Sequence, residues 1–131
     1  MDTTNIENAR MILEERNRRK GAFELGFIQF QSVYRYVVRA IENDHRAAEL
    51  VLFTLNDAAV SDDFGAILGK SLRRSDVFTK GGKSQYLVLL SDMSDADDQP
   101  ILKRVLEQWG ESEKGAAVKV TYESALLRAG D

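Results

Sequence analysis

The sequence predicts an α+β fold in which an antiparallel or mixed sheet packs against helices on one face, the ferredoxin-like arrangement. Two long segments place apolar residues at helical spacing, and several shorter runs are continuously apolar or alternate over the length of a strand. A glycine-containing turn joins two of these runs as a β-hairpin. The 131 residues, 44% of them hydrophobic, suffice for one domain with a modest core.

The predicted elements alternate between the two types along the chain. Apolar residues three or four apart mark the helices, whereas the continuous run LVLFTL is typical of a central strand covered on both faces. The expected bounds are an extended segment at 22–27, a helix over about 28–43, a strand at 50–55, a helix that begins near Ser61 or Asp62, hairpin strands at 76–80 and 84–90, a helix over 99–109 begun by Ser94 or Asp95 as its cap, and a last strand at 116–123.

Residues 4–20 predict a polar helix ahead of this domain. Thr4 is the expected N-cap, with Glu7 three residues later, and the helix leads into the basic run RNRRK at 16–20. Such a helix has few apolar residues and buries little by itself, so residues 1–20 are expected to connect the domain to a protein partner or to form a homodimer. Residues 21–131 are then the domain proper.

Composition excludes several classes of function. The chain has no cysteine and one histidine, His45, which is expected on the surface, so thiolate metal sites and Ser/His/Asp catalysis are not predicted. No apolar run is long enough for membrane insertion, and no leader pattern is present, which favours the cytoplasm.

Nucleic acid is not an expected partner. The net charge of −3 gives no overall attraction to it, and the basic run at 16–20 is typical of a solvated helix end. Tyr34 and Tyr36 lie beside arginines in the first long helix, but aromatic residues at this spacing are expected in the core.

The loop at 81–86, GGKSQY, contains the letters GKS of a phosphate-binding loop but leads into a strand, where that loop needs a helix. The segment 72–90 instead resembles the signature of the GGDEF family, the diguanylate cyclase domains, written L-R-x-x-D-x-x-x-R-Y-G-G-D-E-F-x-V-L-L. The positions that match without a gap are Leu72, Arg73, Asp76, Lys80 in place of arginine, Gly82 as the first signature glycine, Tyr86 in place of phenylalanine, Val88, Leu89 and Leu90.

The resemblance implies a nucleotide-cyclase-like fold, and the departures from it imply lost catalysis. Cyclases of this family need carboxylates that hold two Mg²⁺ ions. Here Lys83 stands at the second signature glycine, Ser84 at the aspartate and Gln85 at the glutamate, so GKSQY replaces the signature; residues 53–55, FTL, replace an acidic pair in the first core strand. We therefore predict no enzyme, no metal and no cofactor, but a regulatory or protein-interaction module in bacterial signalling.

One further motif of the family is present. An R-x-x-D inhibitory site binds cyclic di-GMP in many of these domains, and the resemblance places it at Arg73 and Asp76. The alternative prediction is therefore a cyclic di-GMP receptor, although the same two side chains can also simply cap the turn and pair with each other. An enzyme is the third interpretation and would require unconventional metal ligands, such as Asp57 with Asp62 or Asp63.

Overall fold

The computed structural model describes residues 5–14, 21–44, 46–93 and 99–129. His45, the expected caps Ser94 and Asp95, and the basic run at 16–20 lie outside these ranges. The helices are α1 (Ile6–Leu13), α2 (Phe27–Asp44), α3 (Ser61–Ser71), preceded by a 3-10 turn at Ala58–Val60, and α4 (Gln99–Glu111); the strands are β1 (Phe23–Glu24), β2 (Ala47–Leu55), β3 (Val77–Lys80), β4 (Gln85–Met93) and β5 (Val120–Arg128).

The strands form one mixed sheet in the order β1-β3-β4-β2-β5. β1 pairs parallel with β3, and every other pairing is antiparallel. The four strands after α2 and the two helices between them follow the ferredoxin-like order, so the predicted fold class is confirmed. β2 lies between β4 and β5, which agrees with its apolar run, and β3 and β4 form the predicted hairpin.

Helices cover both faces of the sheet, and in this respect the prediction of one covered face is wrong. Alternate residues of β2 and β4 point to opposite faces, and both sets are apolar. One set packs with Phe64 of α3 and Trp109 of α4, and the other packs with Phe30 and Ile41 of α2. Because the central strands are apolar on both faces, the second face also needs a helix, and α2 supplies it.

The leading helix α1 is present, but its cap differs from the prediction. Asn5 is the N-cap, and its side chain accepts a hydrogen bond from Asn8 N at 2.9 Å. Thr4 lies outside the described residues. α1 buries none of its residues, as expected for a helix this polar. None of the described helices has the length and apolar character needed to cross a membrane.

The chain enters the domain at Gly21, which adopts a positive φ of 86°. A Cβ at this position would overlap the carbonyl oxygen of Gly69, near the end of α3. The backbone of the entering segment therefore passes directly against α3, and two residues later β1 begins its pairing with β3. Glycine is required here by both the φ angle and the close approach.

Candidate functional site

Arg73 and Asp76 lie in the turn between α3 and β3, and they bind each other. Arg73 Nη2 donates to Asp76 Oδ1 at 2.8 Å, while Arg73 Nε and the Arg73 backbone N–H donate to Asp76 Oδ2 at 3.1 and 2.9 Å. Asp76 is fully buried, whereas the Arg73 side chain is 35% exposed. The pair is bidentate, the geometry in which arginine binds carboxylate most strongly.

Ser91 of β4 connects this pair to the sheet. Its backbone N–H donates to Asp76 Oδ1 at 3.3 Å, and its carbonyl oxygen accepts from Arg73 Nη2 at 2.8 Å. Its hydroxyl donates to the carbonyl oxygen of Ser75 at 2.6 Å. Sequence reasoning missed Ser91, because nothing in the local sequence marks it; only the hairpin register places it beside the turn.

These contacts limit what the turn can offer to a ligand. Both carboxylate oxygens of Asp76 already accept two hydrogen bonds each, so Asp76 cannot receive a guanine N–H without losing a protein contact. On Arg73, Nε and Nη2 donate to Asp76 and Ser91, and Nη1 makes no hydrogen bond to any described residue. The outer edge of this guanidinium is therefore the part that a ligand could reach.

Residues 81–84 form the hairpin loop between β3 and β4, where the alignment places the signature. Gly81 N–H donates to the Gln85 carbonyl oxygen at 2.9 Å and closes the turn, in which Gly82 and Lys83 are exposed. Leu55 N–H donates to the carbonyl oxygen of Ser84 at 2.9 Å, which ties the loop to the end of β2.

Gln85, at the position of the signature glutamate, lies directly beside Thr54, the middle residue of the segment 53–55 that stands at the place of the acidic pair. The two residues are register partners between β4 and β2, and Gln85 Nε2 donates to Thr54 Oγ1 at 3.3 Å. The structure thus brings together the hairpin loop and the end of β2, the two sequence-distant segments that the resemblance assigns to metal binding. An amide and a hydroxyl occupy the place, and they bond to each other.

The three carboxylates considered as substitute ligands are not brought together. Asp57 Oδ1 caps the 3-10 turn by accepting from Ala59 N–H at 2.9 Å. Asp62 pairs with Lys80 at 3.2 Å, and Asp63 pairs with Lys114 at the same distance. Within the described ranges, no three His, Cys, Asp or Glu residues are grouped so that they could hold a metal ion.

Tyr86, the last signature position, belongs to the core. Its ring lies 6.0 Å from that of Phe64 and 6.1 Å from that of Phe78, between α3 and the hairpin. Burial raises the pKa of its hydroxyl above the ordinary value. Gly65 of α3 leaves the space for this hydroxyl, since a Cβ there would lie 2.5 Å from Tyr86 Oη. Tyr36, expected in the core, is instead 72% exposed on α2.

Similar proteins are found among solved structures. No protein-family model matches the chain, and no curated protein does. The GGDEF domain of FimX from Pseudomonas aeruginosa superposes with a TM-score of 0.69 at 12% identity, over 91% of this chain and 83% of that one. The GGDEF domain of DgcB from Caulobacter crescentus, in complex with c-di-GMP, gives 0.69 at 9% identity, over 90% and 83%.

A third structure contains a partner protein. The diguanylate cyclase SiaD from Pseudomonas aeruginosa, in complex with its activator SiaC, superposes with a TM-score of 0.67 at 17% identity. The match covers 95% of this chain but 55% of the SiaD chain. At these identities the structures establish the fold alone. The chain has the fold of GGDEF domains, as the segment at 72–90 implies.

Proposed function

We propose that the chain is a catalytically inactive GGDEF-like domain that serves as a regulatory or protein-interaction module in bacterial signalling, in the cytoplasm. The observation that supports this most directly is the contact between Gln85 and Thr54. Metal-dependent condensation of GTP needs anionic oxygens that hold two Mg²⁺ ions and neutralise the triphosphate. A neutral amide bonded to a neutral hydroxyl does not provide the negative charge that two Mg²⁺ ions and a triphosphate require.

The neighbouring charges do not compensate. Lys83 adds a cation to the loop, and the carboxylates of Asp62 and Asp63 are each paired with a lysine. Moving either carboxylate to the hairpin would break its own ion pair and would still leave the second metal without a ligand. We therefore assign no metal or cofactor to this domain.

A module of this kind acts through its surface, and α1 offers one. Ile6, Met11, Ile12 and Leu13 are 57–77% exposed, which is unusual for large apolar side chains on one short helix. We propose that residues 1–20 connect the domain 21–131 to a protein partner or to a second copy. SiaD, part of which has this fold, is in complex with its activator SiaC.

Incubation with GTP and Mg²⁺, and separately with GTP and Mn²⁺, tests the loss of catalysis. We expect mass spectrometry to detect neither cyclic di-GMP nor its linear precursor. Product that forms in the wild type and disappears in Asp57→Ala or Asp62→Ala would contradict the proposal, because it would show that substitute carboxylates assemble in solution.

A second candidate function is reception of cyclic di-GMP at Arg73, favoured by the open outer edge of its guanidinium. Arg73 Nη1 makes no hydrogen bond to a described residue, and a guanidinium edge is suited to guanine or phosphate. Of the similar structures, DgcB is in complex with c-di-GMP. In this proposal Asp76 positions the arginine and does not itself bind the base.

Calorimetric titration with cyclic di-GMP distinguishes the two candidates. The receptor requires saturable binding that Arg73→Ala abolishes and that Arg74→Ala, the matched change next to it, retains. Because Arg73 also supports the fold, each variant must first show the same Trp109 fluorescence as the wild type. No heat of binding in a folded wild-type domain would exclude the receptor and leave the interaction module.

A further inference from the structure

One edge of the sheet is a long strand that no other described strand covers on its outer side. β5 ends the strand order and pairs only with β2 among the described strands. Proteins usually block such edges with short strands, proline, bulges or charges, because an open edge accepts another strand. The opposite edge follows this rule, since β1 is two residues long. β5 is nine residues long, contains no proline, and pairs with β2 without a bulge.

The pairing with β2 determines which backbone groups of β5 are open. Asn56 N–H donates to the Lys119 carbonyl oxygen at 3.2 Å, just beyond the two strands, so this opposed pair is a hydrogen-bonded one. Hydrogen-bonded and non-bonded pairs alternate along an antiparallel ladder. The backbone N–H and C=O groups of the odd-numbered residues of β5 therefore point toward β2. The backbone groups that point outward belong to Val120, Tyr122, Ser124, Leu126 and Arg128.

We propose that a second copy of this chain adds its β5 antiparallel to this edge, around a twofold axis at Ser124, to form one continuous sheet. This goes beyond the proposed function, which does not assign any interface to β5. Ser124 is the midpoint of the strand, so this register pairs all nine residues, and the outward-facing groups of each copy meet those of the other.

The side chains of β5 are complementary to themselves in this register. Tyr122 lies opposite Leu126 of the other copy, an aromatic–aliphatic pair, and Glu123 lies opposite Ala125. Val120 lies opposite Arg128. Since both charged residues of β5, Glu123 and Arg128, lie opposite uncharged ones, no like charges are paired. With a twofold axis perpendicular to the sheet, the two β5 strands can change their pairing register only in steps that keep each side chain on its own face of the sheet. The adjacent register centred on Glu123 would oppose two carboxylates, which disfavours it.

A groove between α4 and β5 provides space for the added side chains. Its volume is about 670 Å³, and Tyr122, 37% exposed, forms its wall on the strand side. Leu126 of an added strand would enter this groove opposite Tyr122 and bury both side chains. The other residues that line the groove are Pro100, Leu102, Lys103, Leu106 and Glu107, an apolar floor with one charge of each sign.

Cysteine cross-linking tests the interface and its register, because the native chain has no cysteine. Two residues that form a hydrogen-bonded pair have Cα atoms about 5.5 Å apart, within the range of a disulfide. We expect Ser124→Cys to form a disulfide-linked dimer under mild oxidation. Ala125→Cys is the matched control. In this register residue 125 lies opposite residue 123 of the other copy, so the Cα atoms of the two introduced cysteines are about 8 Å apart, which is too far for a disulfide.

Light scattering with charge variants provides a second test that needs no oxidation. The wild type should have twice the mass of one chain, whereas Ser124→Lys and Ser124→Glu should each be monomeric, because each places like charges opposite each other. An equal mixture of the two variants should regain the doubled mass. Unchanged far-ultraviolet circular dichroism in each variant would show that the fold is retained.

Three results would overturn the proposal. They are a monomeric wild type throughout the concentration range tested, cross-linking of Ala125→Cys as rapid as that of Ser124→Cys, and a dimer that persists in both charge variants but is lost when α1 is changed. The last result would assign association to α1. None of them bears on catalytic activity, so this proposal can fail independently of the inactive-domain proposal.

Discussion

Replacement of Asp76 by alanine should destabilise the domain without any ligand being involved. The carboxylate is fully buried and accepts hydrogen bonds from Arg73 Nε, Nη2 and N and from Ser91 N. Asp76→Ala removes all four acceptor contacts at once. It leaves two backbone N–H groups and one guanidinium without their partner, at the point where α3 turns into β3.

The magnitude follows from the burial of each partner. Breaking a buried ion pair by removing one partner costs about 3–5 kcal/mol. Arg73 is 35% exposed, so water can replace part of the lost contact, which favours the lower end, about 3 kcal/mol. Arg73→Ala leaves Asp76 its two backbone donors and should cost about 2 kcal/mol. The double variant should cost less than the sum, with a coupling of about 1–2 kcal/mol.

Urea unfolding followed by Trp109 fluorescence measures these differences, because Trp109 is the single tryptophan and is buried. Asp62→Ala is the matched control: it removes a carboxylate that is 92% exposed and paired with Lys80, and should change the free energy of unfolding by less than about 1 kcal/mol. If Asp76→Ala also fell within about 1 kcal/mol of the wild type, the pair would not stabilise the fold, and the structural explanation of the motif would be wrong.

Three further predictions concern glycines and the buried tyrosine. Gly65→Ala should lower the free energy of unfolding by about 1–3 kcal/mol in urea titrations, because the added Cβ would lie 2.5 Å from Tyr86 Oη; this outweighs the better helix propensity of alanine. Tyr86→Phe removes that hydroxyl and should relieve part of the cost. If the effects of the two substitutions were additive, the contact would be contradicted. Burial raises the pKa of Tyr86, so above a pH of about 10 the folded state keeps a proton that the unfolded state loses. The stabilisation from burying the neutral hydroxyl is therefore complete below this pH and is lost as the pH rises further. In alkaline unfolding, the free energy of unfolding should fall more steeply with pH in the wild type than in Tyr86→Phe. Gly21→Ala should lower the free energy of unfolding by about 2 kcal/mol or more, through its positive φ and the overlap with Gly69. Gly110→Ala, whose added Cβ would have nothing within 4 Å, should be neutral or stabilising in the same urea titrations.

The order of elements could be predicted because it depends on local patterns. The helix expected at 28–43 is α2 at 27–44, and the run at 50–55 is the buried part of β2. The alternating pattern predicts the last strand at 116–123, but β5 spans 120–128. Most of its side chains are exposed, so its far end lacks the apolar alternation by which a strand is identified.

Long-range placement could not be predicted from such patterns. The apolar face of α2 indicates that the helix is buried on one side, but not which face of the sheet it covers. For the same reason the helical spacing predicts Tyr36 in the core, whereas the structure leaves it exposed. The contacts of Ser91 with Arg73 and Asp76 depend on the hairpin register. The contact of Thr54 with Gln85 depends on the pairing of β2 with β4, and only the alignment to a known signature indicates that this place could matter for function.

The two parts of the signature differ in what the fold requires of them. The buried carboxylate of Asp76 satisfies four donors and ties the turn to β4, so its presence is explained by folding whether or not a ligand binds. Ser84 and Gln85 are half-buried at the loop, where Ser84 contributes its backbone carbonyl to β2, a contact that any residue can make. Acids there would serve metal binding and not folding. The presence of Arg73 and Asp76 therefore adds little support to the proposed receptor, whereas the neutral residues at 84 and 85 are the part of the signature on which the proposal of an inactive domain depends.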